Sequence, residues 1–177
     1  MKSKEVTIDD FELLYSLNID EIPDLNDKIS ECEYFLTLAL ASRNVNQFRW
    51  LSSAFLSAAR SFLEIHVQCA LSAFGDEKGN RFPDQEALQR LEKYIRIKRD
   101  SGLNFRIRLK PVHPLLKQLF TMRNKNTHVA PLFINVAECG AESQFLFGFP
   151  GVDAVIAFDF LQEVMQVLRK VDELSSD

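Results

Sequence analysis

Residues 47–74 read QFRWLSSAFLSAARSFLEIHVQCALSAF, and this stretch decides the fold. Its apolar residues recur at the three- and four-residue spacing of an α-helix and form one stripe: Leu51, Phe55, Ala58, Phe62 and Ile65. Further apolar residues widen that stripe: Ala54, Leu63 and Ala70. A stripe of this width predicts a helix that is buried on more than one side, and Gly75 is placed to end it.

Helical spacing continues on both sides of this stretch. The predicted helices run from Leu25 to about Arg43, from Asp84 to Ser101 and Gly102, from Pro114 to about Thr127, and from about Asp153 to Leu174. Two alternating runs at 132–136 and 144–149 predict a β-hairpin. The expected class is therefore all-α, an up-and-down bundle of four to five helices with a short β-hairpin before the last helix. Residues 1–22 are interpreted as an N-terminal arm and 23–177 as a single helical domain.

The composition is that of a globular protein. Hydrophobic residues make up 46% and charged residues 26% of the 177 residues, which is too apolar for disorder. The longest apolar stretch, 34–41, is far shorter than the roughly 20 residues that a membrane span needs. The three cysteines are odd in number and scattered, which favours a reducing compartment. We therefore expect a cytoplasmic protein without membrane association.

Charge is distributed unevenly along the chain. Residues 1–42 hold ten acids and three lysines, a balance of −7, whereas residues 90–125 hold eleven bases and two acids, a balance of +9. A basic surface attracts phosphate. Arg96, Lys98 and Arg99 end the predicted third helix, where positive charge also suits the helix dipole. The segment is therefore either a surface for a nucleic-acid backbone or a solvated helix face.

Several common chemistries have no motif in this chain. The sequence contains no Gly-rich phosphate loop, no HExxH or ExxH pair for metals, no CxxC pair and no GxSxG. His66 and Cys69 supply only half of a possible zinc site. We therefore predict no metal and no cofactor.

Arg123 and His128 frame the segment RNKNTH, residues 123–128, at the end of a predicted helix. Five residues correspond to about 140° around a helix axis, so these two side chains leave different faces, whereas Asn124 and His128 share one. Arginine can hold a phosphate through two hydrogen bonds, and histidine can move a proton near neutral pH. Such groups can cleave RNA by attack of the ribose 2′-hydroxyl on the adjacent phosphate. The alternative is a surface arginine and a helix-capping histidine.

The segment resembles the HEPN superfamily, whose signature is an arginine, a polar residue that is often asparagine, three variable residues and a histidine. The Pro-rich start of this helix (KPVHPLLKQLFTMRN, 110–124) and the second helix (QFRWLSSAFLSAARSFLEI, 47–65) resemble those of small bacterial HEPN proteins. The resemblance extends over roughly residues 25–174. It implies a metal-independent endoribonuclease, commonly a toxin, that works as a homodimer with both motifs in one cleft.

The resemblance also implies roles for matching residues. Arg123 would bind the scissile phosphate, His128 would act as general base or acid, and Asn124 would position one of them. A polar line runs along the second helix through Arg49, Ser53, Ser57, Arg60 and Glu64. Arg60 and Glu64, four residues apart, face the same cleft or form an ordinary salt bridge. The predicted RNA-binding residues are Arg60, Glu64, Lys125, Arg96, Lys98 and Arg99.

Partners follow from the same resemblance. RNA is the expected ligand, and an antitoxin protein is a possible further partner. Trp50 and Phe48 are either dimer contacts or core residues. In one toxin subgroup a tyrosine, modified by a partner enzyme, lies two residues after the histidine; this chain has Ala130 there. Two other functions remain open, a module that binds RNA or a nucleotide without cleaving it and a helical protein-interaction domain.

Overall fold

The computed structural model describes residues 27–74, 84–99, 107–128, 131–139, 142–148 and 154–176. These residues are mostly helical and include two small antiparallel sheets. The predicted N-terminal arm, the predicted helix end at Ser101 and Gly102, and Ala130 lie outside the described residues.

Side-chain caps fix where the first two helices begin. Helix α1, Lys28–Ala41, begins where the Asp27 carboxylate accepts a hydrogen bond from the Ser30 amide at 3.0 Å. Helix α2, 45–74, begins where the Asn44 side chain accepts hydrogen bonds from the Asn46 and Gln47 amides at 2.9 and 3.1 Å. The three-residue connection turns the chain back, and α1 packs along α2.

Helix α2 consists of three consecutive pieces, Val45–Phe62, a π-helical turn at Leu63–Val67, and Gln68–Phe74. The predicted stripe holds at Phe55, Ala58 and Phe62, which are buried, but it is wrong at Ile65, which is 46% exposed. A π turn adds a residue to the helical repeat and so rotates the following residues around the axis. Beyond Phe62 the buried positions are therefore Leu63, Val67 and Leu71.

The third predicted helix is shorter than the sequence suggests. Helix α3, Gln85–Glu92, is capped by Asp84 as predicted, but strand β1, Ile95–Arg99, follows it and pairs antiparallel with strand β2, Ile107–Pro111. Arg96, Lys98 and Arg99 therefore lie on a strand, and their assignment to a helix end was wrong. Apolar and basic residues alternate in IRIKR and IRLKP, the period-2 pattern of strands. The alternation was missed because Leu88, Leu91 and Ile95 also fit a helical period.

Along the chain, the candidate motif lies after the first sheet and before the second. Helix α4, Pro114–His128, contains it, and strands β3, Ile134–Cys139, and β4, Glu142–Phe147, follow. Strand β5, Val155–Ile156, pairs with β4, so the sheet order is β3-β4-β5. Helix α5, Ala157–Ser176, ends the described chain. Its predicted core positions are all buried: Ala157, Leu161, Val164, Leu168 and Val171.

Aromatic contacts join the second sheet to the helices. The ring of Phe48, on α2, stacks on Phe145 of β4 at 4.5 Å between centroids and also contacts Phe158 of α5. Phe48 is fully buried, so its candidacy as a dimer contact was wrong; the expected alternative, a core residue, is what the structure shows.

Among the described residues, no helix combines the length and the apolar character needed to cross a lipid bilayer.

Candidate functional site

The centre of the site is the guanidinium of Arg60, which joins α2 to α4. Its Nε donates a hydrogen bond to the Glu64 carboxylate at 2.6 Å, and its Nη1 donates to Oδ1 of Asn124 at 2.5 Å. Its Cζ lies 4.6 Å from the ring centroid of Phe120, a cation–π arrangement. Phe120 and Asn124 are four residues apart on α4, as Arg60 and Glu64 are on α2, so each pair shares one face of its helix. The two faces meet at Arg60.

These contacts determine how the Asn124 amide is oriented. An arginine can only donate hydrogen bonds, so Asn124 must present its carbonyl oxygen to Arg60. The Nδ2 group of Asn124 is then left as a donor on the exposed side of α4. Glu64 and Phe120 hold the guanidinium in place, since they contact it at its edge and at its face. Arg60 thereby fixes a hydrogen-bond donor of the candidate motif.

Arg123 lies beside this group in a contrasting environment. Its Nε is buried and has no hydrogen-bond partner. Among the described residues, no carboxylate forms an ion pair with Arg123. An unpaired buried donor costs about 1–3 kcal/mol, and more when it is charged. The Arg123 guanidinium is therefore a partly buried cation that an anion from outside the described chain would stabilise.

His128 is the last residue of α4 and is exposed. It forms no hydrogen bond with another described residue, and the same is true of the Arg123 side chain. Because α4 stays helical through His128, the two side chains leave the helix on different faces. The structure thus brings Arg60, Glu64 and Asn124 together, whereas it does not bring Arg123 and His128 into contact within one chain.

The end of α4 is tied to the following strand. Oδ1 of Asn126 accepts a hydrogen bond from the Leu132 amide at 2.8 Å, and Leu132 is buried in the core. The Thr127 hydroxyl donates to the Arg123 carbonyl at 2.9 Å. These bonds fix the backbone around the motif. Lys125 is exposed in the last turn, where its charge suits the helix dipole.

The remaining predicted RNA-binding residues lie on β1, which precedes α4. Strand β2 ends at Pro111 and α4 begins at Pro114, so the β1–β2 pair adjoins the N-terminal end of α4, whereas the motif occupies its C-terminal end. Arg96, Lys98 and Arg99 are therefore separated from the group around Arg60 by much of the length of α4.

His66 and Cys69 are exposed and line an open hollow of about 520 Å³, whose other lining residues are Ile65, Ala70, Ala73 and Ser175. Among the described residues, no group of three His, Cys, Asp or Glu side chains is placed to hold a metal ion.

Sequence reasoning missed two parts of the site. Phe120 was interpreted only as an apolar position of α4, although its place one turn before Asn124 indicates that it lies beside the motif. Asn126 was treated as a variable residue of the motif, and its bond to Leu132 depends on a chain reversal that no local pattern predicts.

No protein-family model, no curated protein and no solved structure matches this chain.

Proposed function

We propose that the protein is a metal-independent endoribonuclease of the HEPN type. The observation that carries this proposal is Arg123, whose Nε is buried without a partner one residue from an asparagine that is held by hydrogen bonding. A scissile phosphate would supply the missing acceptor through its non-bridging oxygens. The Arg123 side chain has no hydrogen bond or ion pair with a described residue that must break before it binds the phosphate. It would therefore stabilise the negative charge that builds up on the phosphate during cleavage.

The proposed reaction needs two proton transfers. A neutral imidazole of His128 would remove the proton of the ribose 2′-hydroxyl, whose oxygen attacks the adjacent phosphorus. The 5′-oxygen leaves and takes a proton from an imidazolium, so the products are a 2′,3′-cyclic phosphate and a 5′-hydroxyl. Each chain contributes one motif histidine. The proposal therefore includes a homodimer in which two copies of the motif line one cleft.

The fold expected from the resemblance is part of the proposal. We propose an up-and-down bundle built from α1, α2, α4 and α5, with the hairpin of β3 and β4 before the last helix. Support comes from the packing of α2 on α1 and α4, from the packing of α5 on α1 and α4, and from the antiparallel pairing of β3 with β4.

The test is to incubate RNA with the pure protein in excess chelator and to analyse the ends of the products. We expect a 2′,3′-cyclic phosphate from the wild type and a loss of at least 100-fold in rate for His128→Ala, since general acid–base catalysis contributes about 10²–10⁴-fold. His66→Ala, which removes an exposed histidine elsewhere, is the matched control and should cleave normally.

Arg123→Ala separates binding from chemistry. It should lose cleavage and also weaken RNA binding, because it removes a phosphate contact. RNA binding without any product from the wild type would instead support the binding module. Absence of both binding and cleavage would support the protein-interaction domain.

A further inference from the structure

The β1–β2 pair carries four basic positions on one of its faces. The register places Arg96 opposite Lys110 and Lys98 opposite Arg108. Since side chains alternate between the two faces of a strand, these four positions share one face of the ribbon. Arg96, Arg108 and Lys110 are exposed, and the Arg96 side chain is 58% exposed.

The other face of the ribbon is apolar and packs inward. Ile95 is fully buried, and Ile97 and Leu109 are partly buried against the core. Arg99 occupies the register position of this second face, opposite Ile107. The core therefore holds the ribbon from one side, and the four basic positions occupy the opposite side.

This arrangement has an electrostatic cost. Directly opposite residues in an antiparallel pair have Cβ atoms about 5 Å apart, and like charges at that distance are destabilising. The ribbon places Arg96 opposite Lys110 in this way, and a second pair of basic residues, Lys98 and Arg108, follows two positions further along. The Glu92 carboxylate contacts Arg96 at 4.0 Å, and both side chains are well exposed. An exposed pair of this kind offsets little of the repulsion between Arg96 and Lys110.

We propose that this ribbon face binds the phosphate backbone of single-stranded RNA. Basic positions two residues apart on a strand lie about 7 Å from each other, which is comparable with the distance between successive phosphates of an extended strand. Ile95, Ile97 and Leu109 lie on the core side of the ribbon, so they are not available to the basic face as the apolar contacts that a protein anchored in a lipid surface would use. The inference rests on RNA as the ligand of the proposed function and says where the backbone is held.

The ribbon and the motif occupy opposite ends of α4. Ten residues separate Pro114 from Asn124, which is about 15 Å along the helix axis. The ribbon therefore contributes to affinity and does not touch the reacting phosphate.

The experiment measures binding in a cleavage-deficient His128→Ala parent, with a labelled single-stranded RNA at several salt concentrations. The ribbon variant replaces Arg96, Lys98, Arg108 and Lys110 with glutamine. We expect it to bind at least tenfold more weakly at 0.1 M salt, and the slope of log Kd against log salt to fall by about 2 to 3, because each phosphate contact to a single strand contributes about 0.7. The matched control replaces four other exposed bases with glutamine, Arg43, Arg90, Lys93 and Lys117, which removes equal charge, and should keep most of the slope.

A two-site variant, Arg96→Gln with Lys110→Gln, keeps the test valid if the four-site variant does not fold. It removes one cross-strand pair and should lose about half as much slope, with a melting temperature no lower than that of the parent. An unchanged slope in both variants, an equal loss in the charge-matched control, or a parent that prefers duplex RNA or anionic vesicles would each overturn the proposal.

The two proposals fail in different ways. If the wild type cleaves RNA and the ribbon variant keeps the salt dependence of binding, only the proposal that the ribbon binds RNA is overturned. If the salt dependence requires the ribbon but the protein never cleaves RNA, only the proposal of an endoribonuclease is overturned.

Discussion

At the scale of single residues, Arg60 and Arg123 show opposite ways of holding a guanidinium. Arg60 contacts Glu64, Phe120 and Asn124, whereas Nε of Arg123 has no partner. An engaged arginine is suited to position other groups, and an unpaired one is suited to receive a ligand. Under the proposed function, Arg60 would therefore act on the substrate through Asn124, whereas Arg123 would contact it directly.

Replacing Arg60 with methionine keeps an unbranched side chain but removes the donor to Asn124. We expect the cleavage rate at saturating RNA to fall about 10- to 100-fold while affinity changes little, since a hydrogen bond to a charged group contributes about 1.5–3 kcal/mol. Lysine should not restore the rate, because one ammonium lacks the planar fork that reaches both Glu64 and Asn124. Single-turnover kinetics and RNA titrations measure the two effects.

Arg49→Met is the control for this prediction, since Arg49 lies at the other end of the same polar line and is also partly buried. An Arg60→Met protein that binds RNA poorly but cleaves at the normal rate would show that Arg60 is a binding residue instead.

Cys32 and Cys69 should differ in reactivity. Burial raises the pKa of the Cys32 thiol to about 12, from an ordinary value of 9.0, whereas Cys69 is exposed. Because the thiolate is the reactive form, iodoacetamide at pH 8 should modify Cys69 in the native protein and Cys32 only after unfolding. Peptide mass spectrometry distinguishes the two sites, and rapid native labelling of Cys32 would contradict its burial.

The same pKa gives a dependence of stability on pH. The folded-state pKa of Cys32 lies above its unfolded value, so the unfolded state loses its proton first as pH rises. The contribution of this thiol to stability is present below about pH 9 and is lost between about pH 9 and 12. The stability difference between wild type and Cys32→Ala should therefore shrink over that interval.

At the scale of elements, the cap of α2 is the feature most open to a stability test. The Asn44 side chain satisfies two amides that have no partner within the helix, those of Asn46 and Gln47. Asn44→Ala should lower the free energy of unfolding by about 1 kcal/mol, and Asn44→Asp should change it little. Urea denaturation measures both. Asn46→Ala, at an exposed site inside the helix, is the control, and a loss as large as that of Asn44→Ala would argue against capping.

At the scale of the whole molecule, the proposed dimer needs a contact surface. Trp50 lies on α2 and is 64% exposed, which keeps it as the candidate contact after Phe48 is assigned to the core. An exposed aromatic ring of this size is typical of protein–protein contacts. The two motifs would share one cleft only in the assembled form.

Light scattering should therefore give about twice the chain mass of 20.3 kDa at micromolar concentration. Trp50→Glu should shift the mass towards the monomer and reduce cleavage, because it places a charge in the contact. Ile156→Glu, at an exposed apolar site on β5, should leave both unchanged. A wild type of single-chain mass that still cleaves RNA would overturn the dimer.

Much of the helical framework follows from the sequence because helix signals are local. The spacing of Leu161, Val164, Leu168 and Val171 places the core face of α5, and Asp84 marks the start of α3 because a cap acts within one turn. The polar line of α2 also allowed a position of Arg60 near the motif to be predicted, as one of two alternatives; the other was an ordinary salt bridge. The pattern RNKNTH itself, with the chemistry that its residues allow, is likewise readable without a structure.

Tertiary structure decided the rest, because the deciding contacts join residues that are distant in sequence. Whether residues 95–99 form a helix or a strand depends on pairing with residues 107–111, and this pairing also gathers four bases on one face. The π turn of α2 moves Ile65 out of the core, and a change of helical repeat leaves no simple periodic signal. The bond from Arg60 to Asn124 spans 64 residues. Local propensity determined where the helices lie, whereas packing between distant segments decided which side chains they bring together.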